Sequence, residues 1–441
     1  MKTYCKLQIF LCVLFLIGEA ASIQAKDFVS QLEGLYPGGI TLEPAIPGHE
    51  AHFRSASLAQ LGVLTQQLAP SAADFPAIST TPGFTFRYNP QIQAFERSSS
   101  SLGPVYVERA QTVGQGKFDI GMSYLYVDFD ELNGKSLDGL NFTLRHEDCC
   151  DPNTGVEKGP GAPPSPGNPP FERDFIKVTF NKFSLRSHVM SFFATYGITD
   201  RWDVNILLPV VSTSFKVKVH SQINNDGSKE QFADTPLKNG IHFFSKADKR
   251  LDDFRSFDDD KTGVGDIQMR TKYHIFEAAG FNLASGLALR IPSGSNGNFQ
   301  GLGDATLTPF LALSQEYGPV ELHANGGIQF NFDDSDRSRV RYAGGATIRL
   351  IEEVAFLVDI IGSSNIKTDK FSVKVPKEEE NPSGLVPGRL HTDVVDLNVG
   401  FKTSPFGPQR SIVGFATVFI PLNHDGLRSN AIPAVGLEMG F

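Results

Sequence analysis

Five polar side chains share one parity between residues 265 and 276: Asp266, Gln268, Arg270, Lys272 and His274. The other parity carries Ile267, Met269, Thr271, Tyr273 and Ile275. Side chains alternate across a β-strand, so this segment has one wet face and one apolar face. The pattern recurs over 320–332, where Glu321, His323, Asn325, Gln329 and Asn331 oppose Leu322, Ala324, Ile328, Phe330 and Phe332. It recurs again where Trp202, Val204, Ile206 and Leu208 oppose Asp203 and Asn205. Collected by face, the charged and imidazole candidates are Asp266, Arg270, Lys272, His274, Arg290, Asp304, Glu321, His323, Arg349, Asp396 and Glu438. Rings of such groups around a lumen can sort ions or polar solutes. The same groups can also pair with one another and fill a narrow interior.

Three other constellations carry weaker chemistry. Asp248, Asp252, Asp253 and Asp258-Asp-Asp260 lie in a polar stretch, about 221–262, that reads as a long loop. Carboxylate clusters bind calcium, and Asp258-x-Asp260-x-Thr262-Gly263 opens like a calcium loop. Met269 stands where the closing Glu belongs, so a solvated acidic loop is expected. His188-Val-Met-Ser191 holds a base and a nucleophile of the types used in acyl transfer, at a spacing that puts them on opposite faces of a strand. Cys149 and Cys150 form either a strained vicinal disulfide or two free thiols. With only His146 beside them they fall short of a closed four-ligand metal set. No catalytic, metal or cofactor site is assigned, and the chain is not read as an enzyme. A net charge of −9 argues against a nucleic-acid partner.

Strands with one apolar face need a frame, and the two ends of the chain supply its class. Lys2 and Lys6 precede an apolar run over 7–17 and small residues up to Ala25. That is a secretory signal peptide over residues 1–25, too short in its apolar run to span a bilayer as a helix. At the other end Val435, Leu437, Met439 and Phe441 share a parity, and the chain stops on the aromatic residue. An apolar strand stopped by a terminal Phe resembles the closing strand of a bacterial outer-membrane barrel, and the resemblance implies that Phe441 serves as an assembly signal. Between the ends, residues 26–115 are irregular, with one helix expected over 57–68, and form either a periplasmic packing element or a plug in the barrel mouth. Residues 116–441 read as a barrel whose strands are joined by alternately long and short connections. The fold class is all-β, a transmembrane antiparallel up-and-down β-barrel of about 12 strands, or 14 if residues 84–95 join the wall. A Lys or Arg on the lipid face near mid-membrane costs about 2–4 kcal/mol, so the polar faces must look inward.

Two strand entries echo each other: Gly263-Val-Gly-Asp266-Ile and Gly301-Leu-Gly-Asp304-Ala. With Tyr196-Gly-Ile-Thr-Asp-Arg-Trp-Asp-Val204, Leu208-Pro209 and the run from Glu108 to Phe118, they resemble the outer-membrane transporter family named after the MetA pathway of phenol degradation. The resemblance runs from about Thr195 to Phe441. It implies a channel or transporter with no catalytic residues, and it leaves the substrate open. The Gly-x-Gly-Asp motif is no phosphate cradle, because it opens a strand and not a helix.

The expected function is an outer-membrane channel or transporter for passive uptake or export of small molecules, hydrophobic or aromatic compounds among them. The alternatives are a barrel-embedded lipid hydrolase and a structural or adhesive barrel. The expected location is the bacterial outer membrane. Expected partners are its lipids, the barrel-assembly machinery and a small-molecule solute, with no nucleic acid; the oligomeric state stays open.

Overall fold

The structure is a computed structural model that describes residues 26–53, 101–146, 170–366, 393–406 and 412–441, with parts of 62–97. The signal segment, Cys149, Cys150 and most of the helix expected over 57–68 lie outside the described residues. Gly62, Leu64, Thr65 and Leu68 of that helix are described and are helical.

Twelve strands form one closed ring. They are β1 (Phe118–Phe129), β2 (Phe175–Thr199), β3 (Trp202–Asn224), β4 (Ile267–Ala278), β5 (Phe281–Ile291) and β6 (Thr306–Tyr317), then β7 (Val320–Asn331), β8 (Arg339–Ile351), β9 (Val354–Asn365), β10 (Val394–Phe406), β11 (Ile412–Pro421) and β12 (Ile432–Gly440). Each pairs antiparallel with its neighbours in sequence, and β12 returns to β1 from Ala434 opposite Leu125 to Gly440 opposite Asp119. Closure leaves no bare edge in the ring, which a lipid-spanning sheet requires. The tight turns, such as 199–202 and 317–320, fall at the rim where β1 begins. In transmembrane barrels that is the periplasmic side.

Two further strands extend the sheet beyond the ring. Asn141–Arg145 pairs with the far end of β2, and Asp252–Val264 pairs with the far half of β3. The second corrects the reading of 221–262 as a loop. Asp258 and Asp260 sit on the outward face of this strand, and Asp258 pairs with Lys216 across it. Asp259 turns the other way, towards Lys261 at 2.7 Å and Gln31 at 2.7 Å. Carboxylates divided between two faces of a strand cannot close around one calcium. Among the described residues, 86–89 and 94–97 pair with each other as a separate two-stranded sheet and do not join the wall.

The polarity of the wall reverses along β3. Its outward residues run Trp202, Val204, Ile206, Leu208 and Val210, then Ser212, Ser214, Lys216 and Lys218. Its inward residues begin with Asp203 and Asn205 and end with Phe215, Val217 and Val219, all buried. On β2 the outward face changes from Tyr196, Phe192 and Met190 to His188, Arg186 and Lys182. The switch marks where lipid gives way to water on the loop side. Below it the wall is apolar outside and polar inside; above it the wall follows the logic of a soluble protein. Neighbouring residues show the lower regime: Lys272 is 1% exposed and Tyr273 50%, Lys402 0% and Phe401 54%.

Above the switch the two-strand extension carries a hood. The helix Phe28–Glu33 starts on an Asp27 carboxylate that accepts the Ser30 amide at 2.7 Å. It drops Phe28 against Phe215 and Phe299, with ring centroids 5.6 and 5.9 Å apart. Tyr36 packs beside it, its hydroxyl 2.5 Å from Ser221 Oγ, and burial pushes that phenol up to about 12. The amino-terminal part of the described chain therefore rests on the loop side of the barrel.

Candidate functional site

Below the hood the chain re-enters the ring and runs down it. Residues 74–81 and 101–113 are bonded to inward side chains from many strands, which puts these two stretches in the lumen. Near the outer end Asp74 accepts from three guanidiniums: Arg341 Nη2 at 2.7 Å, Arg339 Nη1 at 3.0 Å and Arg290 Nη1 at 3.2 Å. Lower down, Arg270 Nη1 donates to the Ile78 carbonyl, and Lys272 Nζ donates to Thr81 Oγ1 at 2.6 Å and to the Arg109 carbonyl at 2.8 Å. Glu108 ties the returning limb to the descending one by accepting the Thr80 amide and the Ser79 hydroxyl, both at 2.8 Å. Arg109 is paired with Glu321 at 2.9 Å, and the Val113 amide donates to Asp203 Oδ2 at 3.0 Å. The segment leaves at the short-turn rim, where the Gln115 amide donates to Asp200.

The candidates fall into two tiers. Glu321, His323, Lys272, His274 and Glu438 are buried towards the short-turn side, with Arg270 above them. Lys402 pairs with Glu438 at 2.9 Å and also donates to the Pro104 carbonyl at 3.2 Å. His323 bridges Ser314 and Thr347, each at 3.3 Å. Arg349 lies half-exposed at the rim itself. The upper tier is Asp266, Arg290, Asp304 and Asp396. Asp396 pairs with Arg428, and Asp304 accepts from Asn331 and Arg337, both at 2.8 Å.

The two echoing motifs touch. Asp266 of the first accepts the Leu302 amide of the second at 2.8 Å, together with the Gly294 amide at 3.0 Å and Arg290 Nε at 2.9 Å. A Cβ on Gly301 would lie 2.3 Å from Asp266 Oδ1, so only glycine fits there. The Gly-x-Gly-Asp repeat is thus a latch between two loop-to-strand entries. It anchors Arg290, which in turn holds Asp74.

Asp74, Arg109, Arg339, Arg341 and Lys402 were not among the predicted site residues. Arg339 and Arg341 share the parity of Arg349, and Lys402 that of Asp396, so the face rule contained them. Asp74 and Arg109 lie in an irregular segment, where no periodicity points to a wall.

The charges do not form open rings, because the threaded segment meets them. What remains open flanks that segment. A cavity of about 170 Å³ lies between Asp74–Ser79 and the wall, bounded by Glu108, Arg270, Phe310 and Tyr342. A second, of about 100 Å³, lies on the other side of Asp74–Pro76 against Val127, Phe129, Phe419 and Ile432. The hydrolase pair does not assemble. His188 Nδ1 lies 2.6 Å from the Tyr124 hydroxyl on the outer face, while Ser191 sits on the opposite parity.

A closed meander with an apolar exterior, a charged interior and long loops on one side is a transmembrane barrel of the bacterial outer-membrane class. Residues 176–375 match the family described as "Putative MetA-pathway of phenol degradation", so this stretch of the barrel carries that family's signature. The match starts before Thr195 and stops short of Phe441, unlike the span expected from the motifs. No curated protein matches in sequence. Among solved structures the chain is similar to an outer-membrane channel from Pseudomonas putida F1, at 12% identity and a TM-score of 0.41 over 75% of this chain and 98% of that one. It is similar to the toluene transporter TbuX of Ralstonia pickettii at 11% identity and a TM-score of 0.33, over 74% and 90%. It is similar to the KdgM porin at 7% identity and a TM-score of 0.32, over 61% and 98%.

Proposed function

We propose that this chain is an outer-membrane channel for passive movement of small, largely hydrophobic molecules, narrowed by its own residues 74–81 and 101–113. The observation that carries the reading is the 170 Å³ cavity beside the threaded segment. A cavity of about 150 Å³ holds benzene, so the volume here is enough for one monocyclic aromatic. Phe75, Ile78, Phe310 and Tyr342 offer apolar walls, and Arg270 and Glu108 offer a polar end for a hydroxyl or carboxyl substituent. Twelve strands enclose less than the sixteen of an open porin, which fits a conduit sized for single small solutes. The test is flux of phenol and toluene into proteoliposomes. The wild type should exceed protein-free vesicles, and Ala288→Phe, which fills the cavity from β5, should lower the flux while leaving a folded barrel. Flux equal to empty vesicles, for both solutes, would overturn the reading.

A further inference from the structure

Four imidazoles meet in the hood, far from the lumen. His49, His52, His146 and His242 are all buried, and their candidate ligand nitrogens lie within 4.8 Å of one another. They arrive from three separate parts of the chain. His49 and His52 come from the amino-terminal segment three residues apart, His146 follows the strand Asn141–Arg145, and His242 lies in the connection between β3 and Asp252–Val264. We propose that this cluster is a binding site for one late first-row divalent metal ion, of which Zn²⁺ suits it best, and that the ion fastens the amino-terminal segment to the outer loops.

Two of the nitrogen–nitrogen distances approach those of a tetrahedral centre, and all four nitrogens lie within 4.8 Å of one another. Zn–N bonds of about 2.0–2.1 Å set tetrahedral nitrogens roughly 3.3–3.4 Å apart. His52 Nδ1 lies 3.0 Å from His146 Nε2, which lies 3.1 Å from His242 Nε2. Four imidazoles with no carboxylate at the centre select zinc, copper or nickel over calcium or magnesium.

The surroundings are those of a metal ligand set. His242 Nδ1 lies 2.9 Å from Asp174 Oδ2, and Asp174 Oδ1 accepts the Ser228 amide at 3.0 Å. A carboxylate on Nδ1 fixes the tautomer and aims the Nε2 lone pair into the cluster, the arrangement common behind metal-bound histidine. Asn225 holds the backbone of His242 on both sides, accepting its amide at 3.3 Å and donating to its carbonyl at 2.7 Å. Phe53 and Phe171 close the site, with Phe53 edge-on to His146 and His242 at 5.5 and 5.6 Å. His146 Nε2 lies within hydrogen-bond distance of both His52 Nδ1 and His242 Nε2, and one cation at the centre would serve all the nitrogens at once. The sequence reading weighed His146 with Cys149 and Cys150 and found too few ligands. The other three lie roughly one hundred residues away on either side, so no spacing rule reaches them.

The experiment uses the full folded chain in detergent, stripped with chelator and dialysed against Zn²⁺ or Co²⁺. Wild type should retain one Zn²⁺ per chain and show the intense visible absorption of four-coordinate Co²⁺. His146→Ala and His242→Ala should lose both, while His424→Ala, an exposed loop histidine, should lose neither. Asp174→Asn should keep the site but weaken Zn²⁺ binding about 10–100-fold. Chelation should also speed protease cutting near residues 26–53 in wild type alone. Heat-modifiable migration reports folding for each variant, and if the alanine variants fail that check, His49→Gln and His52→Gln replace them. Folded wild type that holds no more metal than His146→Ala, or a cobalt complex with only the pale spectrum of the aquo ion, would overturn the proposal. Both outcomes are independent of whether the barrel conducts any solute.

Discussion

Arg109 meets Glu321 as a fork on a carboxylate, with Nε and Nη2 each 2.9 Å from one oxygen. Arg109 belongs to the threaded segment and Glu321 to the first turn-side residues of β7, and both are buried. Breaking a buried pair by removing one partner costs about 3–5 kcal/mol, because the other charge is left uncompensated. Arg109→Ala should therefore loosen the lower end of the segment. Single-channel recording should show larger or noisier conductance than wild type. Arg109→Met with Glu321→Met removes both charges together and should behave closer to wild type. Equal conductance in all three proteins would show that this contact does not control the opening.

The upper end is fastened differently. Asp74 accepts from Arg290 of β5 and from Arg339 and Arg341 of β8, so one carboxylate holds three positive charges from two strands. Asp74→Asn keeps the shape and removes the charge, leaving three guanidiniums facing one another. Flux of small anions should then rise relative to cations, since Arg290 and Arg341 line the 170 Å³ cavity and Arg339 the 100 Å³ one. Reversal potentials across a salt gradient measure this ratio, and an unchanged ratio counts against Asp74 as the neutralising group.

The wall's change of regime along β3 predicts opposite responses to one kind of substitution. Ile206 faces lipid and Lys216 faces water, ten residues apart on the same outward parity. Ile206→Lys should destabilise the barrel by about 2–4 kcal/mol. Lys216→Ile removes a surface pair with Asp258 and should cost no more than about 1 kcal/mol. Denaturant unfolding from lipid vesicles reads both. Similar losses at the two sites would place the lipid boundary elsewhere.

That same reversal explains what the sequence showed and what it hid. The lipid-spanning halves of the strands obey a simple alternation, so β4 and β7 were legible from Asp266–His274 and Glu321–Asn331. Asp252–Val264 lies above the boundary, where an outward face of Asp258 and Asp260 looks like a loop. The inward residue that would have revealed it, Phe257 packed against Phe215 of β3 at 5.1 Å, is a single inward aromatic in a polar run. The candidate charges were found because parity sorts them. Their partners Asp74 and Arg109 were not, because an irregular chain held by tertiary contacts has no period to read.

The Asp266 latch offers a test that separates loop geometry from lumen charge. Gly301→Ala would set a methyl 2.3 Å from Asp266 Oδ1, forcing the 294–302 loop away from the carboxylate. Overpacking of this kind costs about 1–3 kcal/mol. Asp266→Asn keeps one acceptor oxygen, enough for either the Leu302 or the Gly294 amide, and removes the charge that pairs with Arg290. The first should lower stability with little change in conductance. The second should also cost some stability but should in addition change conductance, by releasing Arg290 towards Asp74. Thermal unfolding followed by loss of heat-modifiable migration, beside single-channel recording, distinguishes them, and identical phenotypes would mean the latch serves only the loop.

Closure puts the last residue of the chain on the first strand. The Phe118 amide donates to the Phe441 carbonyl at 2.8 Å, the Phe441 amide donates to the Phe118 carbonyl at 2.9 Å, and their rings stack at 6.1 Å. Deleting Phe441 removes two seam bonds and an exposed aromatic anchor, but no group that faces the lumen. Yield of heat-modifiable barrel in cells should therefore fall sharply, while the conductance of whatever barrel does form should match wild type. Refolding in vitro, where no assembly machinery acts, separates the two sources of that loss. If the deletion refolds normally in vitro yet fails in cells, Phe441 acts as a recognition signal. If it fails in both, the seam bonds themselves are limiting. Normal yield in cells would leave the terminal aromatic with no assembly role.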